Sequence, residues 1–322
     1  MRFFICILLL TNSNLFLFPC RPLQGQDSEL SVMKDSIGMD FVKLGKGKKQ
    51  IGVTTMDEFL EITKDLDSEE QRMDALAILP PLRTIEIIND YWIGIHEVTV
   101  GQYRMFVDAT KYTTESEKSK TGGTGRLSDG NFGQSPQFNW KNCGIPLTEN
   151  HPVVNVSWND AARFCRWMSE KEGVTYRLPT EAEWEHACRA GTRTQFHTGN
   201  AVGSLNGFAN IADKSLLAEI TRISWSAEFD DGVPFLAAVG QFKSNEFGIF
   251  DMHGNAGEWC GDRFSFFQPL GKDPTPGSNL RLLKGGHWFG EPTQCGSGVR
   301  VGMPDVQCMC LIGFRVVRID EQ

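Results

Sequence analysis

The sequence predicts one α+β domain with little regular secondary structure. Two observations carry this. Three helices each open on a four-residue capping signal, and after Gly191 the chain becomes short strands and long turns as far as Arg318. The 33 glycines, 8 tryptophans and 22 phenylalanines fit turns pinned by aromatic side chains better than long helices.

Asp35 to Val42 forms the opening strand, and Tyr91 to Val98 alternates as a second. Thr99 with Gln102 starts a helix whose apolar face is Tyr103, Phe106 and Val107. Residues 118–139 are polar and glycine-rich without periodicity, and are expected to be a long surface loop. Ser157 with Asp160 opens a helix carrying Ala161, Phe164, Cys165 and Met168, which ends at Gly173. Thr180 with Glu183 opens the third, with Gly191 as its stop just beyond Arg189. There is no internal repeat.

Residues 1–25 have one positive charge and two short apolar runs. Neither run reaches the roughly 20 residues that span a bilayer, so they fit a signal peptide cleaved near Gly25-Gln26. Leu17-Phe18-Pro19-Cys20 offers a lipoprotein signal as the alternative. No later apolar stretch is long enough to span, so the expected location is exported: periplasmic, envelope-bound or secreted. A net charge of −8 argues against nucleic acid, whose phosphates are bound by clustered Lys and Arg. Losing Cys6 and Cys20 with the leader leaves seven cysteines, an odd number whose pairing stays open. Cys308 and Cys310 sit too close in sequence to bond each other, which leaves each to seek another partner.

Several motifs now stand in order: His151 to Trp158, Arg177 to Glu185, Asn255-Ala256-Gly257-Glu258-Trp259, Gly285-Gly286 and Ile312-Gly313-Phe314-Arg315. Together they resemble the formylglycine-generating enzyme (sulfatase-modifying factor) family, with the domain running over residues 35–318. The chain departs from that family at about 46–80, where an inserted charged segment centred on Thr55 to Leu79 carries Phe59, Leu60, Ile62 and Leu66. Its spacing fits a solvated amphipathic helix pair, or a binding appendage.

The resemblance implies a variation on the C-type lectin fold with bound calcium. Family members include oxidases that turn a sulfatase cysteine into formylglycine, iron-dependent sulfoxide synthases, and exported proteins of no established chemistry. It implies one calcium site from Asn210 and Asp231 side chains with the Ile211 and Val233 carbonyls. A second would use Asn255 and Glu258, beside Gly257 where the family has a bulky residue. The plainer alternative is that these polar residues cap turns.

In the oxidases two cysteines after the double glycine hold copper(I). Here Gly290 stands at the first position and Cys295 at the second, and His287 replaces the active-site serine. One thiolate cannot supply a two-sulfur site, so oxidase activity requires a second ligand from His287, Cys308 or Cys310. The six histidines are scattered, without the spacing of a metal motif. Three roles follow. The first is an oxidase acting on an extended peptide or sulfatase-like protein through Cys295 and His287. The second is a non-catalytic, calcium-stabilised lectin-like module holding a peptide, glycan or envelope ligand in a cleft of Trp259, Trp288, Phe289 and Arg300. The third is a structural part of an envelope assembly.

Overall fold

In a computed structural model of the chain, residues 30–53, 80–220, 223–264 and 279–320 are described. The leader and residues 54–79, the centre of the inserted segment, lie outside them. In chain order come β1 (Val32–Lys34), β2 (Asp40–Leu44), β3 (Gly47–Ile51), β4 (Arg83–Ile87) and β5 (Tyr91–Gly94). Then follow helices α1 (Val100–Thr110) and α2 (Glu115–Lys118), strands β6 (Gly123–Arg126) and β7 (Phe132–Ser135), and α3 (Trp158–Glu172). After β8 (Thr175–Arg177) come α4 (Glu181–Arg189) and α5 (Lys214–Glu219). The chain closes with β9 (Gly257–Arg263), β10 (Leu280–Lys284), β11 (Val301–Pro304), β12 (Ile312–Gly313) and β13 (Val317–Ile319).

The three expected capping boxes are present at Thr99/Gln102, Ser157/Asp160 and Thr180/Glu183. Each satisfies two otherwise orphaned backbone donors within four residues. Gly173 ends α3 in the left-handed conformation, with φ 69°. At α4 the expected stop moves by one: Ala190 takes the left-handed cap and Gly191 follows it, also at positive φ. A fourth box, Thr114/Glu117, opens the short α2, which ends where the expected loop begins.

Residues 118–139 are not a plain loop. β6 and β7 form an antiparallel hairpin from Gly123↔Ser135 to Arg126↔Phe132. Glycines hide its alternation, because the hairpin packs too closely for side chains: a Cβ at Gly125 would collide with the Cys143 carbonyl.

The remainder is also more regular than expected. An antiparallel five-stranded sheet runs β1-β2-β5-β13-β8, and a second sheet runs β11-β10-β9-β12. Its last pairing, β12 with β9, is parallel. The flanks of the inserted segment pair as β3 with β4, so residues 47–51 are strand rather than helix. The main aromatic core stacks Tyr103, Phe106, Phe164 and Phe314 between α1, α3 and the C-terminal strands.

Helix α4 holds the two sheets together through charge. Arg177 grips Glu183 in a bidentate pair at 2.6 and 2.7 Å. Glu185, fully buried, takes Arg189 at 2.9 Å, Lys284 at 3.1 Å and the Gly52 amide at 2.7 Å. All seven cysteines of the described residues are buried and free. Cys308 and Cys310 bond no other cysteine: Cys308 Sγ donates to the Val306 carbonyl, and Cys310 Sγ accepts from the Thr124 hydroxyl.

Candidate functional site

The double glycine ends β10. Gly285 (φ 90°) and Gly286 (φ 69°) both lie where side chains are strained, and they turn the chain into the segment bearing His287 and Cys295. A Cβ on Gly286 would strike the Cys295 sulfur, so the thiol rests directly on backbone. Cys295 is 0% exposed. Burial pushes its pKa up to about 12; the His287 amide pulls it down, Cys188 raises it, and the Gly254 amide pulls it down. A thiol held so far above neutrality is protonated and unreactive.

His287 reaches Cys295 through its backbone amide. Its imidazole lies instead over Gly290, where a Cβ would come within 3.2 Å of Nδ1 and Cε1. His287 Nδ1 is buried without a hydrogen-bond partner, and burial lowers the ring's pKa to about 4. Neither remaining cysteine supplies a second sulfur: Cys310 lies by Thr124 and Cys143, and Cys308 by Val306, Asp160 and Glu115. The groups that gather at Cys295 are Cys188 and His253. His253 Nδ1 donates to the Cys295 carbonyl at 2.7 Å and Nε2 accepts from the His197 amide at 3.1 Å, while Cys188 Sγ lies 3.7 Å from Nε2. Both ring nitrogens are engaged, so His253 is a strut. Sequence distance concealed this group, since 65 residues separate Cys188 from His253.

The expected cleft residues are not at one surface. Trp259 is fully buried with Nε1 donating to Val156 O at 3.0 Å, and Trp288 is 1% exposed. Arg300 is 4% exposed and paired with Glu181 at 3.0 Å, which leaves Phe289 half-buried by itself. Trp259 belongs to the main core cluster, and Trp288 packs in another against Phe132 and Phe235. An apolar pocket of about 190 Å³ does open at the double glycine, lined by Gly257, Leu283, Met303, Met309 and Leu311, with His287 and Gln294 as its polar members. Lys284 also lines it, but its ammonium is spent on Glu185.

Asn210 and Asp231 each carry an orphaned side-chain oxygen. Asn210 is 1% exposed; its Nδ2 donates to Phe235 O at 2.7 Å and Asn255 Oδ1 at 3.2 Å, and its Oδ1 has no partner. Asp231 Oδ1 accepts from the Val233 amide at 2.7 Å, and Oδ2 is buried and unpartnered. Burial raises Asp231 to about 7, and the charge of Asp213 adds to the rise. The Ile211 amide also bonds this carboxylate, which therefore meets the backbone of both Ile211 and Val233.

The second set does not converge. Glu258 spends Oε1 on Arg315 Nη2 at 2.6 Å and Oε2 on Arg315 Nε and Trp184 Nε1, both at 2.7 Å. Asn255 faces the Ala237 amide at 2.9 Å and Glu97 at 3.0 Å. Two buried acids stand beside this network that the sequence did not single out, Glu97 and Asp251, each with one unpartnered oxygen. Burial raises both, Asp251 to about 6. Among the described residues, no group of three or more His, Cys, Asp or Glu side chains is placed to hold a metal ion.

A sulfatase-modifying factor enzyme 1-like domain matches residues 38–319. The chain belongs to this family. It is 28% identical over 271 residues to the formylglycine-generating enzyme of Mus musculus, covering 72% of this chain and 65% of that one. It is 29% identical over 248 residues to the inactive C-alpha-formylglycine-generating enzyme 2 of Mus musculus, covering 65% and 67%. The chain thus spans just under two thirds of the mouse enzyme. PvdO from Pseudomonas aeruginosa superposes with a TM-score of 0.65 at 24% identity, covering 89% of this chain and 97% of that one. The fold is the C-type-lectin-like fold of the formylglycine-generating enzymes. No helix among the described residues is long and apolar enough to cross a membrane.

Proposed function

We propose that this chain is a non-catalytic member of the family, an exported and calcium-stabilised module that binds an extended peptide. One observation carries the reading: the single sulfur at the oxidase position, Cys295, is sealed from solvent, and its counterpart is Gly290 beneath an imidazole edge. Copper(I) favours paired thiolates. The donors present do not fit it, and no step is routed through copper.

Calcium fits better. Asn210 Oδ1 and Asp231 Oδ2 are hard oxygen donors, buried and without hydrogen-bond donors of their own, which is costly unless a cation satisfies them. Asn210, Asp231 and the Ile211 and Val233 carbonyls would hold it. The pocket at the double glycine is neutral and flexible, with methionines that adapt to an apolar side chain and His287 and Gln294 to orient it. Export rests on the leader sequence.

The oxidase remains the second reading, favoured by the His287 and Gly254 amides aimed at the Cys295 sulfur, since such donors stabilise a thiolate. Copper(I) titration against a chromogenic chelator separates the two. The binding module leaves all copper on the chelator, in native protein and in Cys295→Ser alike. One equivalent withheld by the native chain and released in Cys295→Ser contradicts it.

A further inference from the structure

Asp213, 0% exposed at the N-cap of α5, stands three residues after Asn210 and accepts from the Asp231 amide. Its Oδ1 accepts from the Ser215 amide at 2.8 Å and lies 2.6 Å from Ser215 Oγ. Its Oδ2 accepts a short hydrogen bond from the Asp231 amide. Ser215 Oγ also lies 3.3 Å from Asp231 Oδ1, so one hydroxyl proton is shared between two carboxylates. Both Asp213 oxygens are therefore occupied, and it is not itself a free ligand.

Two carboxylates thus share a largely buried corner, and among the described residues neither has a Lys, Arg or His ion pair. A neutral capping residue would serve α5 as well, because Ser, Asn and Asp are nearly equivalent N-caps. A second charge against Asp231 is unfavourable unless something positive sits between the pair and solvent. Asn210, 1% exposed with an unpartnered Oδ1, marks where that positive charge belongs.

We propose that Asp213 is a positioning residue for a divalent cation held by Asn210 and Asp231: it fixes the Asp231 backbone, supplies extra negative charge to the ion, and ties helix α5 to its occupancy. The inference rests on the calcium reading above. Carboxylates one shell behind a metal ligand typically change affinity about 10–100-fold when lost.

The test is calcium calorimetry on the full chain, with thermal midpoints in EDTA and in excess calcium. Asp213→Asn removes the charge and one of the two acceptors: its single oxygen keeps the α5 cap, while its amide NH2 then faces the Asp231 amide. Calcium affinity is expected to fall at least tenfold, and the midpoint in excess calcium to fall further than the midpoint in EDTA. Asp213→Ser, which also caps, should show the same weakening, and Ser215→Ala should lower both midpoints alike with little change in affinity. Wild-type calcium affinity in both Asp213 variants overturns the role of Asp213 alone. A native chain with no calcium heat and equal midpoints overturns the calcium reading itself, and this inference with it.

Discussion

Arg315→Met should lower the unfolding free energy by about 3–5 kcal/mol, the usual cost of stripping one partner from a buried ion pair. Arg315 is 0% exposed and uses its whole guanidinium: Nε and Nη2 hold Glu258, Nη1 donates to Gly94 O at 3.0 Å and Ile95 O at 3.3 Å, and Nη2 reaches Phe250 O at 3.0 Å. It joins the end of β5, the loop before β9 and β9 itself. Methionine fills much of the volume but leaves the buried Glu258 carboxylate with Trp184 Nε1 alone and takes a donor from the Gly94, Ile95 and Phe250 carbonyls, of which Ile95 O keeps the Phe250 amide. Denaturant unfolding measures the loss. The double variant Arg315→Met/Glu258→Leu should recover part of it, since removing both charges lifts the desolvation penalty that one alone leaves. A loss under about 1 kcal/mol, within the range of an exposed pair, would contradict this role.

Acid should destabilise the fold between pH 7 and 5, where unfolded histidines take up their protons. Burial lowers His253 to about 3, and lowers His96, His186, His197 and His287 to about 4. The sign follows from linkage. An unfolded histidine takes up its proton near pH 6.5 and the folded one does not, so stability is intact above 6.5 and drains as pH falls toward 4. At pH 5 each fully buried histidine costs about 2 kcal/mol by this arithmetic. Asp231 and Asp251, raised to about 7 and about 6, run the other way and offset part of the loss. With five lowered histidines against the raised carboxyls of Glu97, Asp231 and Asp251, the net is a falling midpoint between pH 7 and 5. His253→Gln should make that fall shallower by about one proton's worth. A wild-type midpoint equal at pH 7 and pH 5 would exclude the effect.

What could be read from sequence was what is local. Capping boxes at Thr99, Ser157 and Thr180 declare themselves within four residues, so three helices and their starts were legible. The β6–β7 hairpin was not, because glycines at 123 and 125 make room for Asn155 and Cys143 from elsewhere and erase the alternation. Sheet partners such as Val317↔Ile93 are set by contacts far along the chain, and strands of two to seven residues carry little pattern. At the site, Gly290 against Cys295 was implied by the family resemblance at the double glycine. Glu258 looked like a calcium ligand because its partner, Arg315, stands 57 residues away. Trp259 and Trp288 looked like cleft walls because they adjoin the motifs, yet burial of a large ring takes precedence over display. Asp213 belongs to none of the sequence motifs, and only the structure makes it the cap of α5 and the acceptor of the Asp231 amide.

The most direct measurement is turnover itself. The purified chain is incubated with copper(I), oxygen, a thiol reductant and a peptide bearing a sulfatase-type cysteine, and the peptide is weighed by mass spectrometry. A non-catalytic module leaves the cysteine unchanged. Formylglycine formed by the native protein and absent with Cys295→Ser would contradict it, and would mean that the sealed thiol opens and recruits a second ligand.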